Sequence, residues 1–220
     1  MLKTTDLYDF RYSLAGGYLM QFEYPWQALK GIKEMILELG NRLGDEYTEV
    51  SPTVWVHKTA TVAPTAYLGA PCIIGPGTEV RHCAFVRGSA LVGENCVVGN
   101  SVELKNVILF DKVQVPHYNY VGDSILGYMA HMGAGAVTSN VKSDKTLVVV
   151  KNGEEKFETG LKKFGAMLGD CVEVGCNSVL NPGTVIGRNS NVYPTSCVRG
   201  VVDADSIWKN SGIVVKKEAR

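Results

Sequence analysis

The chain has 220 residues, 22 of them Lys or Arg and 22 Asp or Glu, and 45% are hydrophobic. That length gives one or two domains with a substantial core, and zero net charge excludes a global field that would gather nucleic acid or an anionic membrane. No apolar run is long enough to span a bilayer and the opening MLKTTDLYDF lacks the basic-then-apolar order of a secretory signal, so the expected location is the cytoplasm.

Residues 1–50 form an N-terminal extension. Within it, residues 25–43 place Trp26, Leu29, Ile32, Ile36 and Leu39 at helical spacing behind Pro25. This predicts an amphipathic helix that packs on one end of the domain formed by the rest of the chain. From Val56 onward an apolar residue recurs every sixth position: Val62, Leu68, Ile74, Val80, Val86, Val92, Val98, Leu104 and Phe110. The slot then falls on Pro116, restarts out of frame at Val121, Leu126 and Met132, and returns from Leu168 through Val174, Leu180, Ile186, Val192 and Val198. A helix of 3.6 residues per turn would scatter such a pattern around its circumference. Short strands joined by tight turns keep it on one side, and small residues four places after each slot (Cys72, Thr78, Ala84, Ala90, Cys96, Ser178, Thr184, Ser190, Ser196) fill a narrow interior.

The repeat therefore occupies residues 51–204 as a solenoid of parallel strands. An insertion at about 141–166 carries two strand-like runs around Asn152-Gly153, a hairpin expected to project as an arm. Residues 205–220 read as a C-terminal strand and charged tail. The six cysteines make no C-x-x-C pair, which favours reduced, packed thiols over a disulfide framework or a zinc site.

Two stretches carry chemistry. The order G-N-x-V-E-x-K at residues 99–105, H-x-x-Y-x-G-D at 117–123 and G-A-G at 133–135 resembles the hexapeptide-repeat acyltransferases. It is most similar to the C-terminal acetyltransferase domain of the bifunctional enzymes that also carry an N-acetylglucosamine-1-phosphate uridyltransferase domain. The resemblance implies a left-handed parallel β-helix with three strands per coil, and a homotrimer with active sites between subunits. It implies acetyl-CoA as co-substrate, no required metal, and an amino-sugar 1-phosphate as acceptor in nucleotide-sugar biosynthesis. The nucleotidyltransferase domain and its glycine-rich loop have no counterpart in these residues, so nucleotide transfer is expected to fall to a separate nucleotidyltransferase.

Carried over position by position, the resemblance makes His117 the general base that takes a proton from the sugar amine, a task suited to an imidazole that titrates near neutral pH. Arg87 and Lys105 lie one eighteen-residue coil apart, so two cations stack about 4.8 Å apart at the backbone, an arrangement that an anion between them would relieve. The resemblance assigns that anion as the sugar phosphate. It also places Tyr120, Asn140 and His131 against the sugar, and gives the Ala134 N–H an oxyanion role. Cys176 and Pro194 stand where the family lines its coenzyme A channel with small residues, and His131 stands where the family has asparagine. Two other readings stay open: a non-catalytic sugar-phosphate or nucleotide-sugar binding relative, and a zinc enzyme like the γ-carbonic anhydrases. No H-x₄-H pair occurs among His57, His82, His117 and His131 to favour the latter.

Overall fold

The computed structural model describes residues 1–210 and 212–218; the last two residues of the expected tail lie outside them. Its body is a parallel β-helix with three walls. The first wall runs through Val54–His57, Cys72–Ile74, Ala90–Val92, Ala166–Leu168 and Thr184–Ile186. The second is a nine-stranded sheet through Glu79–Val80, Val97–Asn100, Gln114–His117, His131–Met132 and Glu173–Val174. The third includes Tyr67–Leu68, Phe85–Val86, Val137–Thr138 and Val179–Leu180. Each strand bonds to its equivalent one coil away, so the slots stack: Val80 on Val98 on Val115, and Leu68 on Val86 on Leu104. Slot residues from Val80 to Val202 and the small residues beside them are buried, and hydroxyls among these reach backbone carbonyls, as Thr78 does to Gly93 and Ser178 to Tyr193.

The register slips earlier than the sequence suggests. Val86 pairs with Leu104, eighteen residues on, but Ala90 pairs with Val107, only seventeen on. The three-residue corner Arg87-Gly88-Ser89 has become the two-residue corner Lys105-Asn106. The same shortening recurs one coil later at Gly122-Asp123, because Leu104 pairs with Val121 and Val107 with Ser124. The inward slots are therefore Leu109 and Val115, both fully buried, not Phe110 and Pro116. Pro116 displaces no wall. The short corners have a further effect: Glu103–Leu109 and Tyr120–Leu126 run as unbroken strands from the third wall into the first. Asn106 (φ 54°) and Asp123 (φ 48°) take the left-handed turn, a conformation these two residue types tolerate better than most.

Residues 1–43 do not sit on an end of the solenoid. They lie along the first wall, whose outward residues Ile73, Leu91, Ile108, Ile125 and Met167 are as buried as its inward ones. The expected helix is also divided, into a 3₁₀ helix Pro25–Gly31 and an α-helix Ile32–Gly40. The Tyr18 hydroxyl donates to the Ala28 carbonyl at 2.6 Å, and a side chain at Gly31 would meet that hydroxyl, so the tyrosine occupies the groove where the two segments join. The insertion forms the antiparallel pair Val149–Asn152 and Glu155–Glu158, with Gly153 (φ 58°) supplying the turn's positive φ. It folds back onto the body instead of projecting. Val148, Val150 and Phe164 are buried, and Phe164 and Phe157 pack on Trp26 and Tyr24.

All six cysteines are free, but only Cys72 and Cys96 are buried; Cys83, Cys171, Cys176 and Cys197 are exposed, three of them at corners. Burial pushes the Cys72 and Cys96 thiols up to about 12. A thiolate-selective reagent at pH 8 will titrate four thiols in the native protein and six after unfolding in urea. Fast reaction of all six in the native state would contradict this packing. A Cβ on Gly99 would collide with the Pro116 carbonyl of the next coil, a backbone group that cannot swing aside. Gly99→Ala is expected to lower the unfolding free energy by about 1–3 kcal/mol, read from the urea midpoint at unchanged m.

Candidate functional site

Two edges of the third wall gather the candidate residues. The edge shared with the second wall is a column of turns. His117 ends the strand Gln114–His117, and the following Tyr118 (φ 52°) turns the chain, so the imidazole stands outward and exposed. Ladder bonds set the residues below it. The Gly135 N–H donates to the His117 carbonyl, the Asn177 N–H to Ala134 and the Thr195 N–H to Cys176. His117, Ala134, Cys176 and Pro194 thus occupy equivalent positions on successive coils.

Asn119, which sequence reasoning did not single out, locks this edge. It is 2% exposed; its Oδ1 accepts the His117 N–H at 3.1 Å, and its Nδ2 donates to the carbonyls of Gly133 (2.8 Å) and Ala136 (3.0 Å). One buried amide ties the histidine turn to the G-A-G turn. Among the described residues no side chain bonds the His117 ring and no backbone carbonyl takes the Ala134 N–H, whereas Gly135 and Ala136 both spend theirs internally. Pro194, at the foot of the column, has no N–H to offer.

The opposite edge, between the third and first walls, holds Arg87, Lys105, Tyr120 and Asn140. Leu104 pairing with Val86 places Lys105 beside Arg87, as the spacing requires. Neither cation is free. Arg87 meets Glu103 at 2.8 Å, with half the guanidinium exposed, and Lys105 meets Asp123 at 2.8 Å. The Glu103 carboxylate raises the Arg87 pKa further, so its charge is secure. Asp123 is only 3% exposed and accepts three donors: Lys105 Nζ and Asn106 Nδ2 (3.0 Å) on Oδ1, and Asn140 Nδ2 (2.6 Å) on Oδ2. Asn140 also donates to Tyr120 Oη at 3.1 Å. Burial, and then the nearby Asp123 charge, push the Tyr120 phenol up, so it stays protonated and its O–H remains a donor. Gly122 explains the motif around it, since a Cβ there would strike the Tyr120 ring and hydroxyl.

His131 is not at either edge. It faces outward from the second wall, its Nδ1 2.7 Å from Glu173, in a shallow pocket with Lys112, Gln114 and Met129. Within one chain the structure does not bring it to Arg87 and Lys105. Lys142 is held by Asp144 at 3.3 Å on the insertion. Among the described residues no group of three His, Cys, Asp or Glu side chains converges as a metal site would require. No helix there is long and apolar enough to cross a membrane.

Known proteins share this pattern over most of the chain, although no family model matches it. It is 30% identical over 207 residues to the bifunctional protein GlmU of Methanococcus maripaludis, covering 92% of this chain and 50% of the relative. It is 28% identical over 197 residues to the bifunctional sugar-1-phosphate nucleotidylyltransferase/acetyltransferase of Sulfurisphaera tokodaii, covering 88% and 49%. The chain therefore spans about half the length of the curated relatives it matches. Among solved structures, the acetyltransferase domain of PglB from Neisseria gonorrhoeae in complex with acetyl coenzyme A aligns over 71% of this chain and 54% of that one, with 15% identity and a TM-score of 0.38. Repeat, fold and sequence likeness together make this chain a hexapeptide-repeat β-helix protein that resembles the C-terminal acetyltransferase domain of the bifunctional GlmU proteins.

Proposed function

We propose that the protein is an N-acetyltransferase that moves the acetyl group of acetyl-CoA to the amine of an amino-sugar 1-phosphate, glucosamine or galactosamine 1-phosphate. The observation that carries the reading is the arrangement of the third wall. One edge presents an unbonded imidazole above a column of turns, and the other presents Arg87, Lys105, Tyr120 and Asn140 around a buried carboxylate. The likeness to proteins named as acetyltransferases adds weight to it.

In this reading His117 takes a proton from the sugar ammonium, and the freed nitrogen attacks the thioester carbonyl carbon. The Ala134 N–H receives the developing oxyanion; the C–S bond then breaks, the second N–H proton is lost, and coenzyme A leaves as the thiol. Acetyl-CoA lies along the column through Ala134, Cys176 and Pro194. The sugar phosphate takes Arg87 from Glu103, an exchange that costs little because an exposed ion pair is worth about 0–1 kcal/mol. A guanidinium then grips two phosphate oxygens at once. Lys105 keeps Asp123 on one proton and offers the others.

The two edges lie at opposite ends of one wall, and His131 faces out from another. A complete site then forms where the histidine edge of one copy meets the cationic edge of the next, which is the reason for proposing a homotrimer. A separate nucleotidyltransferase would use the product.

The test is thiol release from acetyl-CoA with each sugar phosphate. His117→Ala is expected to lower turnover by about 10² to 10⁴ with acetyl-CoA binding kept. Arg87→Ala is expected to raise KM for the sugar phosphate by tenfold or more. No turnover with either sugar, alongside sugar-phosphate binding by calorimetry, would replace this reading with that of a non-catalytic binding relative.

A further inference from the structure

The residue that organises the cationic edge touches none of the groups assigned to the reaction from outside; it sits beneath them. Asp123 is almost fully buried, and every donor around it comes from a different stretch of chain: Lys105 and Asn106 from the preceding coil, and Asn140 from the start of the insertion. A carboxylate only accepts hydrogen bonds. Asn140 must therefore turn its NH₂ toward Asp123, and this amide orientation follows from chemistry as well as from the coordinates. With the NH₂ spent on Asp123 Oδ2 and Tyr120 Oη, the Asn140 carbonyl is left to face outward. Tyr120 Oη, already an acceptor, can direct its hydrogen only outward. Lys105 is likewise drawn to one position by Oδ1 at 2.8 Å, with two protons remaining.

Resting on the N-acetyltransferase reading above, we infer that Asp123 is a positioning residue that sets the hydrogen-bond polarity of the site. It fixes Asn140 as an acceptor, suited to an amine N–H of the substrate, and Tyr120 and Lys105 as donors, suited to its oxygens. An amide at position 123 would have the same shape but could present either a donor or an acceptor to Asn140. The polarity of the edge would then be lost without a cavity.

The experiment is an exchange of the two groups. Asp123→Asn and Asn140→Asp are each expected to lower kcat for thiol release at least tenfold, while KM for acetyl-CoA, which binds along the other edge, stays within twofold. The double variant Asp123→Asn/Asn140→Asp restores one donor facing one carboxylate and is expected to recover most of the lost kcat. A purely structural Asp123 would give a double variant no better than its parents, and that result, or an Asp123→Asn enzyme of full activity, overturns the inference. A second readout does not need turnover. The Asn140 side-chain amide signals in a ¹H–¹⁵N spectrum, identified by their loss in Asn140→Asp, are expected to shift in Asp123→Asn. If wild-type protein acetylates neither sugar, the functional reading falls, and unshifted Asn140 signals would separately dismiss the positioning role. If Asp123→Asn does not fold, the comparison of Asn140→Asp with the double variant decides, since both contain the carboxylate at 140.

Discussion

The ladder of backbone hydrogen bonds between successive coils is the constraint on which the rest of this structure depends. Because each strand pairs in parallel with its equivalent, residues seventeen or eighteen positions apart are held side by side, and the molecule becomes a set of columns. Column membership decides what a residue can do. His117 stands over Ala134, Cys176 and Pro194 because their corners bond to one another, and Arg87 stands beside Lys105 for the same reason. Neither grouping needs side-chain attraction to form. The polar contacts at each edge refine positions that the backbone has already assigned.

Much of the fold was legible because burial writes a period of six into the sequence. The inward slots were read correctly as far as Leu104 and from Val121 onward. Between them, Phe110 deceived the count: it is apolar and buried, yet it belongs to a corner and packs on Tyr8, while Leu109 is the inward residue. A two-residue corner leaves no mark of its own in composition, so the slip surfaced only when the slot reached Pro116. The side on which residues 1–43 lie was also written in the chain. Ile73, Leu91, Ile108, Ile125 and Met167 are outward residues of one wall that are all large and apolar, the pattern of strands covered on both faces. Reading only the inward period hid it.

At the candidate site, sequence spacing supplied the stacked cations and the histidine, whereas the residues beneath them were missed. Asn119 and Asp123 act through hydrogen bonds to groups fourteen to eighteen residues away, and nothing in a linear motif reports such a partner. What motif spacing could not show either is that both cations already hold carboxylates. The two pairs differ in kind. The Arg87–Glu103 pair is largely solvated and weak, so it can be exchanged for a ligand. Asp123 lies in the interior, where loss of its partners would leave a charge stranded, so Lys105 stays where it is held.

The short corners connect this electrostatic difference to the architecture. With three residues, as at Arg87-Gly88-Ser89, the chain rounds the edge with its side chain outward and in solvent. With two, the turn falls on Asn106 and Asp123 in the left-handed conformation, and their polar groups are drawn into the edge. There Asn106 donates both to Asp123 and to the Leu29 carbonyl of the N-terminal extension. The segment that covers the first wall is thereby anchored to the carboxylate that holds Lys105 and Asn140. The second and third walls are left uncovered, and both candidate edges border the third. Any second copy of the chain that completes the site must approach on those faces, because the first is already closed by residues 1–43.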